Sequence, residues 1–120
     1  MLLKKLDLDF TVCKVADISG IDFGRDFVFL SKTDEEISLV CESQLTPDNA
    51  TEIEHGWKCL RIEGVLDFEL IGVVAKLTGV LAAEGISVFV VSTYNTDYLF
   101  LKAVNFERSI ALLKENGYRL

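Results

Sequence analysis

The sequence predicts an α+β fold, and three observations carry the prediction. An apolar segment at 67–84 has the length and composition of a helix. Two apolar runs at 86–93 and 97–103 flank a polar tip, as the strands of a hairpin do. The first half of the chain holds only short runs of β-branched and aromatic residues, with no long amphipathic helix.

Taken in order, "DFTVCKV", "DFVFLSKT" and "EISLVCES" read as strands, and "KTDEE" as the turn between the last two. Thr46 and Pro47 fit the cap and first position of a short helical turn. Asp48, Asn49, Thr51, Glu52 and Glu54 then form a polar connector closed by Gly56. A lobe boundary is placed there, giving a reduced, strand-rich first lobe at 1–56 and a second lobe at 57–120.

The second lobe opens with "WKCLRIEGV", where Trp57, Cys59 and Arg61 alternate with Lys58, Leu60 and Ile62, as in a strand. In the helix at 67–84, Asp67 is placed to cap the start and Gly85 to end it. Leu70, Val74, Leu77 and Leu81 face the sheet, and Gly72, Ala75, Gly79 and Ala82 form a stripe of small residues. An interior glycine costs about 1 kcal/mol relative to alanine. Two of them suggest a close approach, by the sheet itself or by a second helix, subunit or ligand. After the hairpin, Asn105 is placed to cap a helix whose apolar face is Phe106, Ile110 and Leu113, and Asn116-Gly117 stops it. "YRL" begins a last strand. The order β-α-β-β-α-(β) is that of a ferredoxin-like fold.

Charge and composition narrow the function. The net charge of -7 comes from residues 1–55, while the rest of the chain is balanced. Such a surface repels phosphate backbones, so no nucleic acid partner is expected. No apolar run reaches the ~18 residues of a membrane span, and no signal peptide is read at the start. A cytoplasmic protein without membrane attachment is expected, with reduced cysteines. No phosphate-binding loop or dinucleotide fingerprint is present, and Cys13, Cys41 and Cys59 lack metal-site spacing. The single histidine, His55, has no nearby cysteine in sequence. No enzyme, cofactor or metal is expected.

The segment "GVLDFELIGVVAKLTGVLAAEGISVFVVSTYNTDYLFLK" resembles the ACT-domain family, small ferredoxin-like modules that sense amino acids. More narrowly, the chain is similar to small two-lobe ACT-like proteins related to the cytosolic arginine sensors. The first half matches only as the weaker lobe of such a protein. The resemblance implies a tandem arrangement that binds an amino acid or similar small ligand between lobes or subunits. By position it places the loop side of the site on Asp67, Phe68 and Gly72 and the hairpin side on Thr93, Tyr94 and Asp97. Asp97 matches the acid that meets a cationic side chain. Leu70 stands where those sensors carry a glutamate. The apolar character of the helix at 67–84 adds the expectation of a homodimer or tight lobe interface. The alternative is a structural or protein-interaction module with a vestigial ligand site.

Overall fold

A computed structural model describes residues 1–64 and 72–120. The strands are β1 (Leu3–Val15), β2 (Phe29–Lys32), β3 (Ile37–Glu42), β4 (Ala50–Ile62), β5 (Val88–Ser92) and β6 (Asp97–Lys102). The helices among the described residues are α1 (Val73–Ala82) and α2 (Phe106–Glu115). The chain divides into two units, Leu8–Trp57 and Met1–Asp7 with Lys58–Leu120, so β1 and β4 each contribute to both.

In the Leu8–Trp57 unit the strands run in the order β2-β3-β1-β4. β1 pairs with β3 so that Cys13 lies opposite Leu39 and Thr11 opposite Cys41. This register puts Cys13, Leu39 and Cys41 on one face, because side chains alternate along a strand. They form a buried cluster with Val15, and Ile21, Val28 and Leu45 pack against it. An irregular segment at 16–28 thus covers a face that a helix usually covers. It contains Phe27, whose φ of 58° is positive although the residue is not glycine. The Phe27 ring meets Phe10 edge-on at 6.2 Å.

The other unit orders its strands β1-β4-β6-β5. Leu60 and Ile62 of β4, Leu99 and Leu101 of β6, and Leu77 and Leu81 of α1 are all fully buried in its core. Each such side chain stabilises the fold by about 1.5–3 kcal/mol relative to exposure. Ile110 and Leu113 of α2 complete the cluster. Both helices end in the same way. Gly85 and Gly117 take positive φ, and the residue after each donates back into the helix: Ile86 to Leu81 at 3.1 Å and Tyr118 to Leu113 at 3.0 Å. Gly85 and Gly117 donate to Ala82 and Lys114 in the same pattern, so carbonyls left over at the helix ends are satisfied. The expected last strand is a single parallel bridge between Arg119 and Leu2. The Leu3 N–H donates to the Arg119 carbonyl at 2.7 Å, and the Arg119 N–H donates to that of Met1 at 3.0 Å.

Four local expectations are corrected. The polar connector Thr51–Glu54 is strand, the exposed first part of β4. Backbone pairing extends it, and an exposed strand has no need of apolar alternation. Thr46 and Pro47 do not start a helical turn. Thr46 closes a 3-10 turn at Ser43–Leu45, its hydroxyl donating to the Ser43 carbonyl at 2.8 Å. Asn105 makes no side-chain cap on α2; its carbonyl instead accepts the buried Ser109 hydroxyl at 2.7 Å. The helix expected at 67–84 starts later, at Val73, because Gly72 takes a φ of 77° and stands before its first turn, not inside it; the expected Asp67 cap and Leu70 lie outside the described residues.

Candidate ligand-binding site

The polar tip between β5 and β6 is built by its own hydroxyls. Ser92 lies opposite Asp97 in the register, and its hydroxyl donates to the Asp97 carboxylate. The Thr93 N–H donates to the Thr96 carbonyl at 2.8 Å, and the Thr93 hydroxyl donates to the same oxygen at 3.0 Å. Tyr94 stands out at 82% exposure. Thr96 turns inward, its hydroxyl donating to the Ile62 carbonyl at 2.7 Å. That bond fixes the hairpin tip beside the end of β4, just before Glu63 and Gly64 lead into residues 65–71.

At this end of β4 stands a charged pair. Arg61 donates to Glu63 Oε1 from Nη2 at 3.0 Å and from Nε at 3.3 Å. The guanidinium also lies over the Tyr98 ring, 5.9 Å from its centroid. Hydrogen bonding to Tyr98 raises the Arg61 pKa above its ordinary value; burial opposes it, and the hydrogen bond to Glu63 and the Glu63 and Tyr98 charges add to the rise. Both side chains of the pair are partly buried, 24% and 30% exposed.

Of the residues expected to form the site, Thr93, Tyr94 and Asp97 share the hairpin tip. Gly72 precedes α1 with φ of 77° and lines a cleft of ≈ 260 Å³ with Val73, Lys76 and Tyr118 among others. The hairpin residues do not line that cleft. Asp67 and Phe68 lie outside the described residues. Sequence reasoning missed Thr96 as the anchor of the tip, and Arg61 and Tyr98 as its neighbours. The alternation in "WKCLRIE" places Arg61 on the same strand face as Cys59, and that was the available signal.

α1 presents Ala75, Gly79 and Ala82 on its exposed side, where they line an open groove of ≈ 610 Å³ with Ile86 and Val88. A Cβ at Gly79 meets nothing within 4 Å, so close packing onto this unit's own sheet does not explain that glycine.

The other unit also buries polar groups. Thr11, fully buried, bonds the Ser43 hydroxyl and His55 Nδ1, each at 2.7 Å. Burial, then the Cys13 and Glu42 charges, pushes the Cys41 thiol up to about 11. In the unit that carries the hairpin tip, burial pushes the Cys59 thiol of β4 up to about 12. Raised in this way, both thiols disfavour the thiolate that a nucleophilic cysteine requires. No helix among the described residues is long and apolar enough to cross a membrane.

Comparison with known proteins places this geometry. The ACT-domain family model matches residues 52–115. The chain is similar to a crystal structure of a protein from Agobacterium tumefaciens at 30% identity and TM-score 0.87, covering 99% of this chain and 90% of that one. A protein from Vibrio cholerae, described as a possible transport protein, superimposes at TM-score 0.73 with 17% identity, covering 92% and 85%. The regulatory subunit of aspartate kinase from Thermus thermophilus shares the fold at TM-score 0.60 with 12% identity, covering 94% and 95%. No curated protein matches the chain. With the ferredoxin-like order, the two terminated helices and a family match over more than half its length, the chain belongs to the ACT-domain family.

Proposed function

We propose that this protein is a non-enzymatic, cytoplasmic regulatory module that binds an amino acid, with the hairpin tip as one wall of the site. The observation that carries the reading is the Thr96–Ile62 hydrogen bond, which holds the tip beside the strand end leading into the α1 side of the fold. In this reading Thr93 and Tyr94 offer backbone and hydroxyl groups. The Asp97 carboxylate meets a polar or cationic side chain while keeping its bond to Ser92. The α1 side, with Asp67, Phe68 and Gly72, takes the ligand carboxylate, as helix starts favour anions. A tandem arrangement is supported by the two hairpins, which close with the same hydrogen bonds and lead into 3-10 turns at Ser43–Leu45 and Ala103–Asn105. A homodimer is supported by the small residues that α1 exposes along its groove.

A thermal-shift screen of the purified protein against all proteinogenic amino acids tests the reading. A ligand at 100 times its Kd adds about 2.7 kcal/mol to stability. A shift with a subset of amino acids supports the module; no shift at millimolar concentration with any of them refutes it. The second reading, an interaction module with a vestigial site, is favoured by the Asp97 carboxylate already accepting a hydrogen bond within its own hairpin.

A further inference from the structure

An amino acid brings an ammonium group as well as a carboxylate, and an ammonium entering a partly dry site needs an anionic acceptor. Two described carboxylates stand near the hairpin tip. Asp97 is held by Ser92 at the outer end of the hairpin. Glu63 follows directly on β4, one residue beyond the carbonyl that anchors the tip. Glu63 Oε1 takes both guanidinium contacts, and among the described residues no hydrogen bond to Oε2 is formed. A carboxylate has about four lone-pair sites, so it can hold one cation on each oxygen.

Resting on the amino-acid reading above, we propose that Glu63 is the acceptor for the ligand's α-ammonium and that Arg61 is its positioning residue. Arg61 stands over Tyr98 and grips Oε1 through two nitrogens, which fixes the carboxylate plane and leaves Oε2 for the ligand. A surface ion pair contributes little to stability. Two neighbouring side chains of opposite charge, partly buried, with the guanidinium over an aromatic ring, instead give a preset geometry for a third charge. The ligand class is an α-amino acid with a free amine, and N-blocked or des-amino analogues are excluded by weak binding.

The test is calorimetry on the full chain with the twenty proteinogenic amino acids, each beside its des-amino acid. Wild type, Glu63→Gln, Glu63→Asp and Arg61→Met are compared, with circular dichroism melts to confirm folding. In the wild type, loss of the amine weakens binding about ten-fold or more. In Glu63→Gln that penalty disappears, because free and des-amino ligands bind equally weakly. In Arg61→Met it shrinks, whereas a purely structural role for Arg61 weakens both ligands by the same factor. Glu63→Asp keeps the charge but shortens its reach, so it retains only part of the amine preference. If wild type binds an amino acid and Glu63→Gln keeps the full amine penalty, Glu63 is not the acceptor and only this inference falls. If wild type binds no amino acid, the amino-acid reading falls and takes the inference with it.

Discussion

Thr33 and Thr93 occupy the same place in their hairpins. The Thr33 N–H donates to the Glu36 carbonyl at 2.9 Å, and the Thr93 N–H to that of Thr96 at 2.8 Å. Each threonine hydroxyl donates to the same carbonyl as its own N–H, at 3.4 Å and 3.0 Å. The two turns share a backbone solution but differ in what the next side chain does. Glu36 accepts the Ser38 hydroxyl beside it, whereas Thr96 reaches across to Ile62.

Thr96→Val therefore costs more than Thr33→Val. It removes a partly buried hydroxyl and leaves the Ile62 carbonyl without that donor, a loss of about 1 kcal/mol. The Thr33 hydroxyl is exposed and water replaces it. Urea denaturation of both variants measures the difference; equal midpoints would show that the tip is not anchored through Thr96.

Gly79→Leu separates self-association from folding. With nothing within 4 Å of a Cβ at Gly79, the side chain enters open groove within one chain, and leaving glycine adds about 0.8 kcal/mol of helix propensity. In a homodimer built on this groove, the same leucine collides with the partner. Sedimentation is expected to show a dimeric wild type and a monomeric variant whose folding is intact. An unchanged sedimentation coefficient would place the dimer contact, if there is one, elsewhere.

Asp97→Ala is expected to weaken a cationic ligand by about 1.5–3 kcal/mol and an aliphatic one little. Calorimetry with lysine, arginine and leucine reads the contrast. The loss of the Ser92 partner is a small, exposed effect and leaves folding in place. Equal affinities for wild type and variant would make Asp97 a turn residue only.

Alkaline pH is expected to destabilise the fold through its thiols. Cys59 is raised from 9.0 to about 12 and Cys41 from 9.0 to about 11, in both cases chiefly by burial. Between the unfolded and folded values the native state binds more protons than the unfolded one, so stability falls as pH rises. The contribution is complete below about pH 9 and is lost progressively toward pH 11 and 12. Chemical denaturation across that range checks the slope. Cys41→Ala and Cys59→Ala flatten it, at some cost in packing.

Much of the second lobe was legible because its signals are local. Gly85 and Gly117 mark helix ends, and Leu77, Leu81, Ile110 and Leu113 carry the 3.6-residue spacing that buries them. Thr51–Glu54 was not legible as strand, since its side chains are exposed and its conformation is set by pairing rather than by pattern. The hairpin tip was recognised as polar, but the partner of Thr96 is a backbone carbonyl, and carbonyls leave no trace in a sequence. The role of Arg61 was not legible for a similar reason. A charged pair at a strand end looks like ordinary surface until Tyr98, far along the chain, is brought beneath it.

The bond from Leu3 to Arg119 also sets an order of events during synthesis. Leu8–Trp57 is a continuous stretch, able to close on itself while the rest of the chain is still being made. The unit that carries the candidate site is different, because it draws on Met1–Asp7 as well as Lys58–Leu120. Its β1 segment finds its edge partner at Arg119, far along the chain. Pairings of such long sequence separation form slowly, since the loop must be closed before any contact rewards it. This unit is thus expected to close after Leu8–Trp57, and a nascent chain stalled before Arg119 lacks the partner of Leu3.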